Sequence, residues 1–183
     1  SYVYALSSEP SDRNVADTQN YSRHYRQRLR AEVMLDAVAA ITEIPNEFSA
    51  MPPGSRAKEI WTHRVTSLFL DTFGRPYPNQ RPPCERQEDA TVTQALHMMN
   101  ATELHSRVTS GEGRAAKLAK SDMTPEQIVE ELYLVVYARL PDADELAFGK
   151  KLFDGADDAA VRKQATEDLL WALLNTPEFL FKD

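Results

Sequence analysis

Residues 21–30, YSRHYRQRLR, have the composition of a nucleic-acid-binding segment. They include four arginines, one histidine and two tyrosines. Arginine attracts phosphate and aromatic rings stack on unpaired bases, so this mixture is typical of proteins that bind single-stranded nucleic acid. If this arginine segment is helical, Arg23, Arg26 and Arg30 lie on one face and Arg28 lies on another.

The overall charge argues against a nucleic-acid partner. The chain of 183 residues carries 21 basic and 28 acidic side chains, which gives a net charge of -7. Such a surface repels a phosphate backbone except where basic residues gather. We therefore predict that the four arginines bind the protein's own acidic groups or form a docking surface for an acidic partner.

A second group of candidate interaction residues is Cys84, Glu85 and Arg86, within the proline-rich loop of residues 75–89. A nucleophilic cysteine requires a nearby base, and His97 lies too far along the following helix to return to Cys84. A free cysteine is usually a small buried residue. We therefore expect Cys84 to anchor the loop by burial.

The sequence predicts no metal, cofactor or catalytic residue. A single cysteine cannot form a disulfide or a two-cysteine metal pair within the chain. Consecutive helical residues point about 100° apart, so at most one of His97, Met98 and Met99 faces a given site. His97 is expected at the edge of the core. Phosphate-binding glycine loops and the common hydrolase and metalloprotease motifs are absent from the sequence.

Helical periodicity organises most of the chain and predicts a mostly α, single-domain helical bundle. A polar N-terminal arm, residues 1–28, precedes the helical domain, residues 29–183. Thr124, Pro125 and Gln127 form a capping box, and Asp142 caps the next helix. The predicted helices cover residues 29–43, 65–72, 91–100, 104–109, 114–119, 124–140, 141–154 and 159–175, and one more turn begins at residue 176.

Three local expectations accompany this pattern. Residues 56–61 are expected to be extended. Val92, Ala95, Leu96 and Met99 are expected on one apolar side of their helix. Gly74 occupies the position of a left-handed helix cap.

Direct membrane insertion is not expected. The sequence has no apolar run near the ~20 residues that a membrane-spanning helix needs. The first residues, SYVYALSSEPS, lack the basic region, apolar stretch and cleavage site of a signal peptide. The start without methionine suggests a piece of a longer polypeptide or a processed product.

Five segments carry a family resemblance: LSSEPSDRNVADTQNYSRHYRQRLRAEVMLDAV, FLDTFGRP, PPCERQEDATVTQALHMMN, IVEELYLVVYARLPDADE and DLLWALLNTPEFLF. In this order they resemble the C-terminal domain of unknown function found in large planctomycete-type envelope proteins. The resemblance extends over about residues 6–181. Members of that family often also carry a c-type cytochrome-like domain.

The resemblance implies where the protein acts and with which partners, but it implies no reaction. It implies a cell-envelope or extracytoplasmic location, with other domains of the parent polypeptide, including a cytochrome-like domain, as partners. The pattern S-R-x-Y-x-x-R-L-R-A-E-x-x-L-D-A implies that the four arginines make framework or inter-domain contacts. Family members often have C-x-C-E-R where this chain has PPCER. The missing cysteine argues against a metal-binding or redox pair at Cys84.

The leading hypothesis is a non-catalytic accessory or interaction domain of a large cell-envelope protein. It would use the arginine segment and the proline-rich loop to contact neighbouring domains. The alternative is a carbohydrate-binding or polysaccharide-active domain, in which Glu85, Arg86, Glu88 and Asp89 line a cleft. Aromatic walls and convergent carboxylates with perturbed pKa values would favour this alternative.

Overall fold

The computed structural model describes residues 6–17, 19–61, 65–76, 91–156 and 158–182. Within these ranges the protein is mostly α-helical, as predicted. The helices are α1 (Ala31–Thr42), α2 (Leu68–Thr72), α3 (Val92–Asn100), α4 (Thr102–Val108), α5 (Arg114–Lys120), α6 (Pro125–Tyr137), α7 (Ala143–Lys151), α8 (Ala159–Leu174) and α9 (Pro177–Leu180). Two short strands, β1 (Gln27–Arg28) and β2 (Phe181–Lys182), form an antiparallel pair. Of the helices in these ranges, none combines the length and apolar character needed to cross a membrane.

The core contains apolar side chains of α1, α6 and α8. Met34 of α1, Leu132 of α6 and Leu170 of α8 are each 0% exposed. Helix α8 packs mainly against α5, and α7 packs against α6. The approach of α7 depends on Gly149, because a Cβ atom there would lie 2.8 Å from Val129 Cγ1. The missing side chain therefore fixes how closely α6 and α7 pack.

Polar side chains start α6 and α7 as the sequence predicts. Thr124 Oγ1 accepts a hydrogen bond from Gln127 N, and Gln127 Oε1 accepts one from Thr124 N at 2.8 Å. Asp142 Oδ1 accepts hydrogen bonds from the backbone N–H groups of Asp144 and Glu145. These contacts satisfy backbone donors that the helix itself leaves unpaired.

Residues with a left-handed backbone conformation follow α1, α2 and α6. Gly74, with φ 86°, lies after α2 as predicted, and Glu43, with φ 60°, ends α1. Ala138, with φ 58°, ends α6. Because of this turn, α6 stops at Tyr137 and the predicted continuation to residue 140 is wrong.

The segment expected to be extended, residues 56–61, contains a 3₁₀ turn at Ala57–Glu59. The prediction was wrong because a distant side chain holds the turn. Asp36 of α1 accepts hydrogen bonds from the backbone N–H groups of Ala57 and Lys58, at 2.6 and 3.1 Å.

The predicted apolar side of α3 faces outward. Val92, Leu96 and Met99 are 77%, 53% and 54% exposed, whereas Gln94 and Met98 are buried. Gln94 can be buried because its side-chain amide forms hydrogen bonds to α2 and to the start of its own helix. Tertiary contacts thus outweigh the hydrophobic pattern of this helix.

The described part of the arm makes contacts within itself before it joins the helices. His24 N donates to Ser7 O at 3.1 Å, and Asn14 Nδ2 donates to Ser22 O at 3.4 Å. Strand β1 then pairs with β2, with Gln27 opposite residue 182. This pairing places the end of the arm beside the C-terminal residues.

Candidate functional site

An apolar groove lies between α1, the C-terminal half of α6 and the segment that contains α9 and β2. Its volume is about 380 Å³, which falls within the roughly 300–1,000 Å³ of small-ligand sites. Apolar side chains and one carboxylate line it: Leu29, Ala37, Ala40, Ile41, Val135, Val136, Tyr137, Glu178, Phe179 and Phe181.

Small residues on α1 create this space. Ala37 and Ala40 are three residues apart and therefore lie on one side of the helix. Val135 and Val136 of α6 form the opposite wall, and Phe179 reaches from the groove into the core, where it is 5% exposed. The groove thus arises from the packing of three separate segments.

Tyr137 makes one end of the groove polar. Its hydroxyl donates to Leu173 O at 3.1 Å and lies 2.7 Å from Thr176 Oγ1. Burial raises the pKa of Tyr137 to about 12, so the phenol is neutral at physiological pH. This hydroxyl acts as a structural hydrogen-bonding group.

Arg139 binds two carboxylates at the same end. Its guanidinium donates two hydrogen bonds to Glu145, at 2.7 and 2.8 Å, and two to Glu178, at 2.7 and 2.8 Å. It also lies over the rings of Tyr133 and Tyr137, 5.5 and 5.4 Å from their centroids. Hydrogen bonding from Arg139 lowers the pKa of Glu145 to about 2. The cluster joins α6, α7 and α9 and leaves one net negative charge at this end.

The arginine segment is not helical, so the shared face expected for three of its arginines does not form. Arg28 donates to Phe73 O at 3.1 Å and to Gln94 Oε1, and it lies over the Phe73 ring, 5.8 Å from the centroid. Arg28 therefore connects β1 to the end of α2 and the start of α3. This is a framework contact.

Of the other arginines of the segment, Arg26 and Arg30 are exposed, whereas Arg23 is half-buried and donates to Ser8 O at 3.4 Å. Arg23 is over the Tyr25 ring at 5.1 Å, and Arg26 forms an exposed ion pair with Glu9 at 3.6 Å. Arg30 is exposed, and its side chain forms no hydrogen bond or ion pair with another described residue. A docking role for these arginines stays a prediction.

Arginines elsewhere bind backbone carbonyls at helix ends. Arg114 Nε donates to Ile41 O at 2.7 Å near the end of α1, and Arg162 Nε donates to Ala119 O at 2.9 Å near the end of α5. Helix C-termini carry unpaired carbonyls and a partial negative charge, which a guanidinium satisfies. We predicted acidic partners for the arginine segment alone and did not anticipate this use of arginine elsewhere. The available signal was that Arg162 shares a side of α8 with the buried Leu169.

Cys84, Glu85 and Arg86 lie outside the described residues, together with most of the proline-rich loop. The predicted burial of Cys84 therefore stays a prediction. The carbohydrate-binding alternative also depends on residues outside these ranges, since Glu88 and Asp89 belong to the same loop.

His97 lies at the edge of the core, where the sequence places it. Its ring meets Phe69 and Phe73 edge-on, at centroid distances of 5.7 and 5.9 Å. Burial lowers the pKa of His97, so the imidazole is neutral at pH 7. In the described ranges, no three His, Cys, Asp or Glu side chains form a group that could hold a metal ion.

The comparisons with known proteins identify a family. A family model described as PSD1, a protein of unknown function (DUF1553), matches residues 1–153. The matched region includes the α1 and α6 walls of the groove. Searches of curated proteins and of solved structures give no significant match.

Proposed function

Because the chain belongs to the PSD1 family of proteins of unknown function (DUF1553), a description that assigns no reaction, we propose a function from the groove. The protein is a non-catalytic interaction domain, and the groove binds an apolar segment of another domain or protein. The observation that carries this proposal is the apolar lining of a groove of about 380 Å³.

The groove has the properties of a peptide-binding surface. Ala40 is exposed, and Ala37, Val135 and Val136 are partly exposed. Covering such surface is favourable by about 25 cal/mol per Å² of apolar area. An apolar helix or extended segment placed between α1 and α6 would bury these side chains, as in other helix-in-groove complexes.

The polar end of the groove supports recognition over catalysis. General acid–base chemistry works best with pKa values near the operating pH. The pKa of Tyr137 is raised to about 12 and that of Glu145 is lowered to about 2. Neither group exchanges protons readily at neutral pH. The net negative charge of the cluster favours a partner segment with a basic residue at this end.

The setting of the domain is part of the proposal and rests on the resemblance alone. The partner would be another domain of the parent polypeptide, such as a cytochrome-like domain, in the cell envelope. The exposed arginines of the arginine segment would extend the same interface beyond the groove.

Site-specific photo-cross-linking tests this proposal. Benzoylphenylalanine replaces Ala40 in the natural full-length polypeptide, and in a matched variant it replaces Ala160, an exposed alanine of α8. We expect cross-links from position 40 to an apolar segment outside residues 1–183, identified by mass spectrometry. Position 160 should give none to that segment. Equal cross-linking from both positions, or none from position 40, would contradict the proposal.

A further inference from the structure

Residues 176–182, which include α9 and β2, form a strap along one side of the groove. Glu178, Phe179 and Phe181 of this strap line the groove. We infer that the strap opens as a unit about the end of α8 while the helices beneath it stay folded. The ion pair between Arg139 and Glu178 keeps the strap closed. This motion does not depend on whether the groove binds a partner.

The strap has little structure of its own. Helix α9 has four residues and β2 has two, whereas isolated helices shorter than about 12 residues are marginal in water. Thr176 has an extended backbone, with φ -83° and ψ 155°, and separates α9 from the end of α8. The strap therefore keeps its shape through contacts with other elements, and Thr176 provides the point at which the chain can turn.

Contacts at several points hold the strap against the rest of the described structure. The Tyr137 hydroxyl lies 2.7 Å from Thr176 Oγ1 at its start, and β2 pairs with β1 at its end. Leu29 N donates to Leu180 O at 3.0 Å beside the β1–β2 pair. Phe179 enters the core, and Arg139 binds both carboxylate oxygens of Glu178.

These contacts are few compared with those of α8. Among the strap's described side chains, Phe179 alone is buried, whereas α8 buries seven residues. The Arg139 and Glu178 side chains are 38% and 45% exposed, so their ion pair is weakened by solvent and by salt. Regions with few buried contacts open locally without global unfolding. The strap therefore opens more often than α8 unfolds.

Opening would enlarge the groove. Withdrawal of Phe179 and Phe181 removes one wall, and the side chains of Ile41, Val135 and Val136 become more exposed. The open groove would accept a longer apolar segment than the closed one.

Native-state hydrogen exchange, followed by NMR, tests the inference. The amide of Leu29 reports on detachment of the strap, because it donates to Leu180 O. The amide of Leu180 donates to Thr176 O within α9, a helix too short to persist once it is detached. The amide of Leu170 reports on α8. Glu178→Gln removes the charge that Arg139 holds, and exchange at the two strap amides should accelerate about two- to five-fold. Leu170, which exchanges only on global unfolding, should accelerate by no more than this factor and should remain slower than the strap amides. Added salt at about 1 M should accelerate the strap amides more in the wild-type protein than in Glu178→Gln, which lacks the ion pair.

A matched control variant breaks a different exposed ion pair. Lys150 Nζ lies 3.4 Å from Glu126 Oε2, and each of the two side chains is 48% exposed. Glu126→Gln should leave exchange at the strap amides unchanged. If the strap amides exchange at the rate of Leu170, the strap opens only by global unfolding and the inference is wrong. If they exchange locally but Glu178→Gln has no effect on them, the ion pair between Arg139 and Glu178 does not keep the strap closed. If Glu126→Gln accelerates the strap amides as much as Glu178→Gln does, these amides exchange by global unfolding and both parts of the inference are wrong.

Discussion

The Asp36 carboxylate of α1 accepts a hydrogen bond from the backbone N–H of Ala57, at 2.6 Å. It also accepts hydrogen bonds from Lys58 N and from Asn46 Nδ2. One side chain thus satisfies the donors at the start of the 3₁₀ turn and fixes the segment that connects α1 to α2.

Asp36→Asn should destabilise the protein by about 1–3 kcal/mol, because an amide has one acceptor oxygen and no charge for these donors. Urea denaturation measures the free energy of unfolding. Asp122 is exposed, and its side chain forms no hydrogen bond or ion pair with another described residue, so Asp122→Asn is a control that should change stability by less than about 0.5 kcal/mol. Equal effects of the two variants would refute the role of Asp36.

Gly149 is required for the close packing of α7 on α6. Gly149→Ala would place a Cβ atom 2.8 Å from Val129 Cγ1, and Val129 is 0% exposed and has little room to move. Overpacking should outweigh the gain in helix propensity and lower the free energy of unfolding, measured by thermal unfolding, by about 1–3 kcal/mol. A Cβ atom at Gly111 would have no neighbouring atom within 4 Å, so Gly111→Ala should be nearly neutral in the same assay. A stable Gly149→Ala protein would show that α6 and α7 can move apart.

The sequence was sufficient to predict most helices because two independent patterns agree in them. In α6, the capping box at Thr124 and the apolar spacing of Ile128 and Leu132 both indicate one helix. Such local patterns specify where a helix starts and which side is buried.

The groove could not be predicted in the same way because it depends on which helices meet. Ala37 and Ala40 indicate a second side of α1 with small side chains, and this was the signal available. Nothing in the local sequence places Val135 opposite them or brings Phe179 to the same place. The outward side of α3 was missed for a related reason, since the hydrogen bonds of Gln94 are made largely with other elements.

Arg28 and Arg30 should differ in their contribution to stability. Arg28→Met removes the donors to Phe73 O and Gln94 Oε1 and should lower the free energy of unfolding by about 1–3 kcal/mol. Arg30→Met, at an exposed position, should change it by less than about 0.5 kcal/mol. Guanidinium chloride denaturation of both variants separates a framework role from a docking role. If Arg28→Met is as stable as the wild type, the framework role of Arg28 is wrong.

Glu145 should make stability depend on pH in the acidic range. Its pKa falls from an ordinary value of 4.5 to about 2 in the folded protein, so the unfolded state takes up the proton first as pH falls. The stabilisation is complete above pH 4.5 and is lost between pH 4.5 and 2. Glu145→Gln should lower the free energy of unfolding by about 1 kcal/mol at pH 7, after allowance for solvent screening.

Denaturation at several pH values checks this dependence. The difference between wild type and Glu145→Gln should shrink towards zero near pH 2. Glu130→Gln serves as the control, because the Glu130 side chain forms no hydrogen bond or ion pair with another described residue, and its effect should stay below about 0.5 kcal/mol throughout. A difference that is the same at pH 7 and pH 2 would mean that the charge of Glu145 is not what stabilises the α6–α7 junction.

Ala138 should gain stability when replaced by glycine. Its φ of 58° lies in the left-handed region, which is unfavourable for residues with a Cβ atom and is readily adopted by glycine. Ala138→Gly should therefore raise the free energy of unfolding by about 0.5–1 kcal/mol. In Ala147→Gly, the same substitution inside α7 should lower it by about 1 kcal/mol. Opposite signs in thermal unfolding would show that Ala138 has an unfavourable backbone conformation in the folded protein. A loss of stability in both variants would contradict this.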